Sequence, residues 1–299
     1  MKPMIHLWPL FQVVASGVAV RNLWAKKEPF VHNMALVAGL SAVILYLLAS
    51  WISGRALWAN RPQQRIPVMA LGGLALPLQL LSLHEQIHGP AGLDLSLFHM
   101  LALVSWMMAM LTVLFSIYRP VISLSALAFP LAGMSTLASL LIPLTYHPVE
   151  HLSHAGEAHV LFSILAYSLF FVAAGLAMLL FILNRRLKLK QPLPTLRLLP
   201  PLQTLETLLF ETLVAGWILL TPAIVLGLFV VHDLRAEHLV HKTVFSVAAW
   251  LLFATLIAGR YRLGWRGPRA VRMTLFGFAL LIVGFYGSKA VLELVLHVN

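Results

Sequence analysis

Long runs of apolar residues, separated by short polar connectors, dominate the pattern along this chain. Two of them are MALVAGLSAVILYLLASWIS (34–53) and MTLFGFALLIVGFYGSKAVLELVL (273–296). A helix needs about 20 apolar residues to cross the hydrocarbon core of a bilayer, and both runs are long enough. Because backbone polar groups must find partners inside the bilayer, each run is predicted to be a helix. The pattern therefore predicts an all-α, polytopic membrane protein.

The same pattern occurs eight times. The predicted membrane helices lie at about 34–53, 66–82, 96–117, 120–142, 159–183, 209–231, 243–259 and 273–296. No repeat or soluble domain interrupts them. We therefore expect residues 34–299 to form one eight-helix membrane domain.

Composition supports this class of protein and excludes others. The chain is 60% hydrophobic and 10% charged, whereas soluble domains carry roughly 25% charged residues. The net charge of +11 lies in short connectors, as in membrane proteins, so no nucleic-acid partner is expected. The absence of cysteine excludes thiol chemistry, cysteine metal sites and covalent haem attachment through C-x-x-C-H. No hydrolase or phosphate-loop motif is present, so the protein is not expected to be an enzyme.

Basic residues predict the orientation. Connectors 54–65, 118–119, 184–208 and 260–272 hold fourteen lysines and arginines, five of them in GRYRLGWRGPRAVR (259–272). The connectors of the other side hold only Arg235 and Lys242. Cytoplasmic loops carry the excess of positive charge, so the C-terminus is predicted to lie outside, at the periplasmic face of a bacterial inner membrane.

Residues 1–33 do not fit this orientation, because Arg21, Lys26 and Lys27 would adjoin the outer end of the first helix. They are either an amphipathic surface segment or an N-terminal extension that precedes a native start at Met34. We favour the extension.

Histidines collect on the predicted outer side. Eleven of the 13 follow residue 80: His84, His88, His99, His147, His151, His154, His159, His232, His238, His241 and His297. In YHPVEHLSHAGEAH (146–159), the residues His147, His151 and His154 would share one face of a helix, with Glu150 between them. Imidazoles and carboxylates suit Zn²⁺ or Cu²⁺. One hypothesis is therefore a His-rich protein that binds or senses a divalent metal, and a merely solvated loop is its alternative.

Three stretches of the chain carry family patterns. HVLFSILAYSLFFVAAGLAML (159–179) has His159, Ser163 and Tyr167 in the pattern H-V-x-x-S-x-x-x-Y, and LETLLFETLVAGWILLTPAIVLG (205–227) contributes Glu206, Gly216, Thr221 and Gly227. The stretch 250–287 contains Trp250 and the unit Gly264-Trp265-Arg266-Gly267. On these residues, about 34–299 resembles the cytochrome c assembly family of CcsA/ResC-type haem-handling membrane proteins. The likeness is greatest to its YpjD-type inner-membrane branch.

The resemblance implies a haem role. Family members hold haem iron between two outer histidines, which His159 and His297 match. It therefore implies haem b bound by these two residues, with the lipid bilayer, haem and cytochrome c maturation proteins as partners. Aromatic and aliphatic residues at the outer helix ends could form the apolar wall: Leu161, Phe162, Phe229, Phe245, Phe285 and Tyr286.

Two family features are absent. The segment VVHDLRAEHLVHKTVFS (230–246) has no tryptophan where the family carries a Trp-rich haem segment. Ala258 and Gly259 stand where the family has a histidine inside the membrane. A haem site and a divalent-metal site therefore both remain open from the sequence.

The charge bias generates a prediction about orientation. A reporter fused after Asn299 should be active only as a type that works outside, and one fused near Gln191 only as a cytoplasmic type. Paired fusions of alkaline phosphatase and a fluorescent protein measure this. The reverse pattern would contradict the topology and place every outer histidine in the cytoplasm.

Overall fold

The computed structural model describes residues 33–56, 62–89, 92–119, 121–142, 153–189, 201–230 and 237–290. Within these ranges, eight helical segments are long and apolar enough to cross a membrane. The prediction of an all-α, polytopic membrane protein with eight spanning helices is therefore confirmed.

The helices follow one another along the chain with short connections. They are α1 (Asn33–Ala56), α2 (Arg65–Ile87), α3 (Leu97–Tyr118), α4 (Ser125–Leu141), α5 (His154–Lys188), α6 (Leu202–Val230), α7 (Glu237–Leu263) and α8 (Pro268–Ile282). A 3₁₀ turn, Ile122–Leu124, precedes α4. After α8 the chain continues as a π-helical turn, Val283–Gly287, and the short helix α9 (Ser288–Ala290).

Four helices begin at least five residues earlier than their apolar runs indicated, and one of them is α7, which starts at Glu237 rather than 243. α5 starts at His154 rather than 159, because the Ser153 side chain accepts the Gly156 N–H at 3.2 Å and caps the helix. α6 starts at Leu202 rather than 209, and Leu205 is buried in its added turn. α8 starts at Pro268 rather than 273, with proline in the first turn. Hydropathy missed these turns because they lie outside the apolar windows.

A small hairpin was not anticipated. Strands β1 (His88–Gly89) and β2 (Gly92–Leu93) pair antiparallel, with His88 opposite Leu93. The hairpin connects α2 to α3 and leaves the all-α class unchanged.

Helix α5 is the centre of the bundle. In its most apolar window 72% of the residues are buried inside the protein, against 22–50% in the other seven spans. It packs along α6 and also contacts α3 and α8. Phe170 of α5 stacks on Phe253 of α7, with ring centroids 4.2 Å apart. Helices α3, α6, α7 and α8 are thus packed around α5.

A buried polar network joins the first three helices. The Tyr46 hydroxyl donates to Gln79 Oε1 at 2.9 Å, and Gln79 Nε2 donates to the Ala102 carbonyl at 3.1 Å. Both side chains are fully buried. Since buried polar groups in a membrane need partners, this network links α1, α2 and α3 specifically.

Contacts between helix ends fall into the two groups that the predicted topology requires. At one end, Arg65 donates to the Ile117 carbonyl, and Arg119 lies 3.6 Å from the Glu211 carboxylate. At the other, the Ser82 hydroxyl donates to the Ala35 carbonyl, and the Lys289 ammonium donates to the Leu95 carbonyl. The end rich in arginine is the one predicted to be cytoplasmic, and its actual orientation stays a prediction.

The Gly-Trp-Arg-Gly unit is a packed turn between α7 and α8. Gly264 and Gly267 have φ of 66° and 57°, a region that favours glycine. The Glu206 carboxylate accepts the Gly267 N–H at 2.9 Å. A Cβ at Gly259 would lie 2.3 Å from a ring carbon of Trp265, so the indole packs directly on that glycine. The indole therefore fills the space that a side chain at position 259 would need.

We predict that Gly259→Ala destabilises the protein by about 1–3 kcal/mol, because the added methyl group forces Trp265 away. Gly73→Ala is the matched control. It places a methyl group in open space within α2, and should be neutral or stabilise by up to about 1 kcal/mol. Thermal unfolding in mild detergent measures both. Equal midpoints for the two variants would contradict the packing of this turn.

An aspartate–histidine contact joins the loop before α3 to the first turn of that helix. Asp94 Oδ2 lies 3.2 Å from His99 Nδ1, and Asp94 Oδ1 accepts the Ser96 N–H at 2.9 Å. Partial burial raises the pKa of Asp94, but hydrogen bonds from His99 and Ser96 and the charge of His99 outweigh burial and hold that pKa below its ordinary value.

A carboxyl group whose pKa is lowered by folding stabilises the protein above its unfolded pKa of about 3.9, and this stabilisation is lost as the pH falls through the folded pKa. Asp94→Asn should therefore lower the thermal midpoint at pH 6 and make it less sensitive to acidification below about pH 4. Glu85→Gln, at an exposed site beside His84, is the control. An unchanged pH profile in Asp94→Asn would contradict this role.

Candidate functional site

A cavity of about 280 Å³ lies among α3, α5, α6, α7 and the π-helical turn. Its polar lining comes from His159, Ser163, Lys242, Thr243 and Ser246. The remaining wall is aliphatic and aromatic: Met100, Val104, Val160, Ile164, Tyr167, Leu220, Ala223, Ile224, Gly227, Leu228, Phe285 and Tyr286. An apolar cavity with a few convergent polar groups is the usual form of a ligand site.

The His159 imidazole is held in one orientation. Its Nδ1 lies 2.7 Å from the carbonyl oxygen of Ala223 on α6. A carbonyl only accepts hydrogen bonds, so Nδ1 is the donor, and in the neutral imidazole Nε2 then carries the lone pair. No hydrogen bond to Nε2 is found within the described ranges. Metal-bound histidines usually have this arrangement, in which one nitrogen donates to a carbonyl and the other binds the metal.

Gly227 makes room for that imidazole. A Cβ at this position would lie 2.9 Å from His159 Cε1 and 3.1 Å from Nδ1. Any larger residue would therefore displace the ring. The sequence pattern contains both residues but gives no sign that they touch.

The π-helical turn brings two aromatic residues to the cavity. Phe285 and Tyr286 are consecutive in sequence, yet both line it. The Tyr286 hydroxyl is buried and has no hydrogen-bond partner among the described residues. Buried hydroxyl groups are usually paired, so this one is available to a ligand. From the sequence, Tyr286 was expected only as part of an apolar wall. The hydroxyl group of its side chain is the feature that indicates a polar role.

Other motif residues also contact one another across helices. The Thr221 hydroxyl accepts the Trp250 indole N–H at 3.0 Å. A Cβ at Gly216 would lie 3.1 Å from the Phe170 ring, so this glycine admits Phe170. Ser163 and Tyr167 line the cavity beside His159. The motifs therefore mark one packed unit of α5, α6 and α7.

The predicted apolar wall is only partly correct. Phe285 and Tyr286 line the cavity, whereas Leu161 is 54% exposed and Phe229 is 72% exposed. Phe162 is not part of the lining, and Phe245 packs instead against Gly284. The sequence predicts which residues lie near the outer ends of the helices. Which of these residues face the cavity depends on how the helices pack.

The other predicted ligands are His297, His147, His151 and His154. His297, His147 and His151 lie outside the described residues. His154 is the first residue of α5; its side chain is fully exposed, with Nδ1 3.6 Å from the Glu157 carboxylate. Within the described ranges, no three His, Cys, Asp or Glu side chains are grouped to hold a metal ion. The structure therefore describes one member of each predicted ligand set, His159 and His154.

A second cavity, of about 310 Å³, adjoins the first. The two share Val104, Tyr167 and Tyr286 as a common wall. The polar side chains lining the second cavity, apart from the two tyrosines, are Ser105 and Ser135, whose hydroxyls bond to each other. The two tyrosines therefore lie between the first cavity, which has a few polar groups in its lining, and the second cavity, which is almost wholly apolar.

The sequence matches known proteins over most of its length. The model of the family described as cytochrome C assembly protein matches residues 95–296. The inner membrane protein YpjD of Escherichia coli strain K12 is 30% identical over 230 residues, which are 74% of this chain and 85% of that protein.

A second relative matches a shorter part of the chain. An uncharacterized 28.8 kDa protein of Azospirillum brasilense is 32% identical over 145 residues, or 47% of this chain and 52% of that protein. No solved structure matches the chain. The matched range 95–296 contains every element that lines the His159 cavity, namely α3, α5, α6, α7 and the π-helical turn, and on this match the chain belongs to the cytochrome c assembly protein family.

Proposed function

We propose that the chain is a non-catalytic, inner-membrane protein that binds haem b non-covalently in the His159 cavity, for cytochrome c biogenesis or a related haem role. The observation that carries this proposal is the bond from His159 Nδ1 to the Ala223 carbonyl, which leaves Nε2 as an iron ligand. The inner-membrane location rests on the relative YpjD. Without cysteine, the cofactor would be held by ligation and packing alone.

The chain would supply three functions to the cofactor. His159 would bind the iron, and His297 would be the second ligand. Phe285 and Tyr167 would exclude water from the macrocycle. The Tyr286 hydroxyl would donate a hydrogen bond, and Lys242 lies in the lining where an ammonium group suits the acidic side groups of haem. Bound haem would supply an iron centre whose potential depends on these axial ligands.

The first test is spectroscopic. Protein purified in mild detergent from haem-replete cells should show a Soret band and, when reduced, the sharp α and β bands of low-spin iron. His159→Ala should remove most of the haem. His159→Gly with added imidazole should recover the low-spin spectrum, which separates lost ligation from misfolding. His297→Ala should leave a five-coordinate, high-spin species.

Gly227→Ala tests the geometry rather than the ligand. The added methyl group would move the imidazole away from the Ala223 carbonyl, and loss of such an orienting contact lowers metal affinity about 10–100-fold. Gly287→Ala is the matched control, because its Cβ would meet only Val283 side-chain atoms at 3.6 Å or more. Equal haem affinity in the two variants would contradict the orienting role.

The alternative proposal is a divalent-metal site formed by His147, His151 and His154. Replacing these three residues together should leave the haem spectrum intact. If the purified protein shows no Soret band and takes up no added haem, the haem proposal fails. Chelator-sensitive binding of Zn²⁺ or Cu²⁺ that the triple replacement abolishes would then support the alternative.

A further inference from the structure

The Gly-Trp-Arg-Gly turn takes no part in the His159 cavity, but it positions arginines. The Trp265 indole packs on Gly259, and its backbone N–H donates to the Gly259 carbonyl at 3.1 Å. The Arg269 guanidinium carbon lies 4.9 Å from the centroid of the Trp265 ring. The tryptophan therefore acts as a fixed platform that orients Arg269 by a cation–π contact.

A groove of about 270 Å³ begins at this arginine. Its lining consists of Leu252 from α7 and of Arg269, Arg272, Met273 and Phe276 from α8. The four α8 residues follow the spacing i, i+3, i+4, i+7 and so share one face of the helix. Arg269 and Arg272 lie at the end near the turn, and Phe276 lies about 10 Å further along the axis. The surface of the groove itself is thus apolar, and the two arginines stand at its end near the turn.

The charge at this end of the groove is not neutralised within the described residues. In the described parts of the chain, no carboxylate forms an ion pair with Arg269 or Arg272. The nearby Glu206 carboxylate accepts the Gly267 N–H instead. Both arginines are exposed, and Phe276 is 61% exposed. The groove therefore presents uncompensated positive charge above exposed apolar surface.

Arg260 differs from this pair, although its position in the sequence suggested a similar role. Its guanidinium carbon lies 4.8 Å from the Phe210 ring centroid, and its Nη1 is buried. It belongs to the interior of the α6–α7 contact, so the groove depends on Arg269 and Arg272 alone.

We propose that this groove binds an anionic diacyl phospholipid of the surrounding leaflet. Its phosphate would lie between Arg269 and Arg272, and an acyl chain would cover Leu252, Met273 and Phe276. A basic pocket between membrane helices, at the level of the headgroups, suits such a lipid. A soluble anion would satisfy the arginines but would leave the apolar surface of the groove exposed.

The test uses the full chain in mild detergent with added phosphatidylglycerol or phosphatidylcholine, and counts bound lipid by native mass spectrometry. Phosphatidylglycerol should be retained preferentially. Arg269→Gln with Arg272→Gln should weaken its retention about 30-fold, since one basic residue near an anionic surface contributes about a factor of five. Arg262→Gln with Arg266→Gln removes the same charge from the same turn, outside the groove, and should change retention little.

Three outcomes would overturn the proposal. These are equal retention of the two lipids, an equal loss in the two double variants, and complete displacement of phosphatidylglycerol by inorganic phosphate. Arg272→Gln alone leaves the Trp265 contact intact and should still weaken retention about fivefold. It keeps the test decisive if the double variant unfolds. Haem spectra are not involved, so this result is independent of the cavity.

Discussion

The packing of α5 along α6 depends on two glycines, Gly216 and Gly227, which give room to Phe170 and His159. Because α5 is the most buried helix of the bundle, this contact also positions α3, α7 and α8. In lipid there is little hydrophobic force between helices, so close approach at small residues must supply the association. The same contact that brings the two helices together also orients the imidazole. Stability of the bundle and geometry of the cavity are therefore coupled in one interface.

Some buried polar atoms of the spanning helices have hydrogen-bond partners within the described residues, and others do not. Gln79 satisfies its amide through Tyr46 and the Ala102 carbonyl, in a part of the bundle far along the chain from the cavity motifs. The Tyr286 hydroxyl, in contrast, is buried on the cavity wall without a hydrogen-bond partner among the described residues. Five other buried side chains also have an unpaired polar atom there: Gln86, Ser123, Trp217, Arg260 and Thr274. An unpaired buried group costs free energy in the absence of a ligand, and at Tyr286 the cofactor that we propose would relieve that cost.

The two ends of the bundle have different chemistry. The end predicted to face outward holds His159, a cavity and the Asp94–His99 pair. The opposite end holds the Trp265 turn, whose glycines, capping carboxylate and stacked arginine form a rigid corner. Trp265 fills the space beside Gly259, so the turn at this end is closely packed around an indole.

Hydropathy alone determined the helix number and the all-α class, because a bilayer leaves few alternatives for an apolar run of about 20 residues. The motifs also identified His159, Tyr167, Gly227 and the Trp265 turn. The local sequence pattern could not show that α5 begins at His154, because that start depends on the cap formed by Ser153. It also could not show that Phe229 is exposed, because the rotation of a helix depends on its neighbours. Tertiary structure alone decided that Gly227 admits the His159 ring, that Ala223 fixes its tautomer, and that Tyr286 lacks a partner. These are contacts between residues more than sixty positions apart, or the absence of such contacts, and no spacing within one helix encodes them.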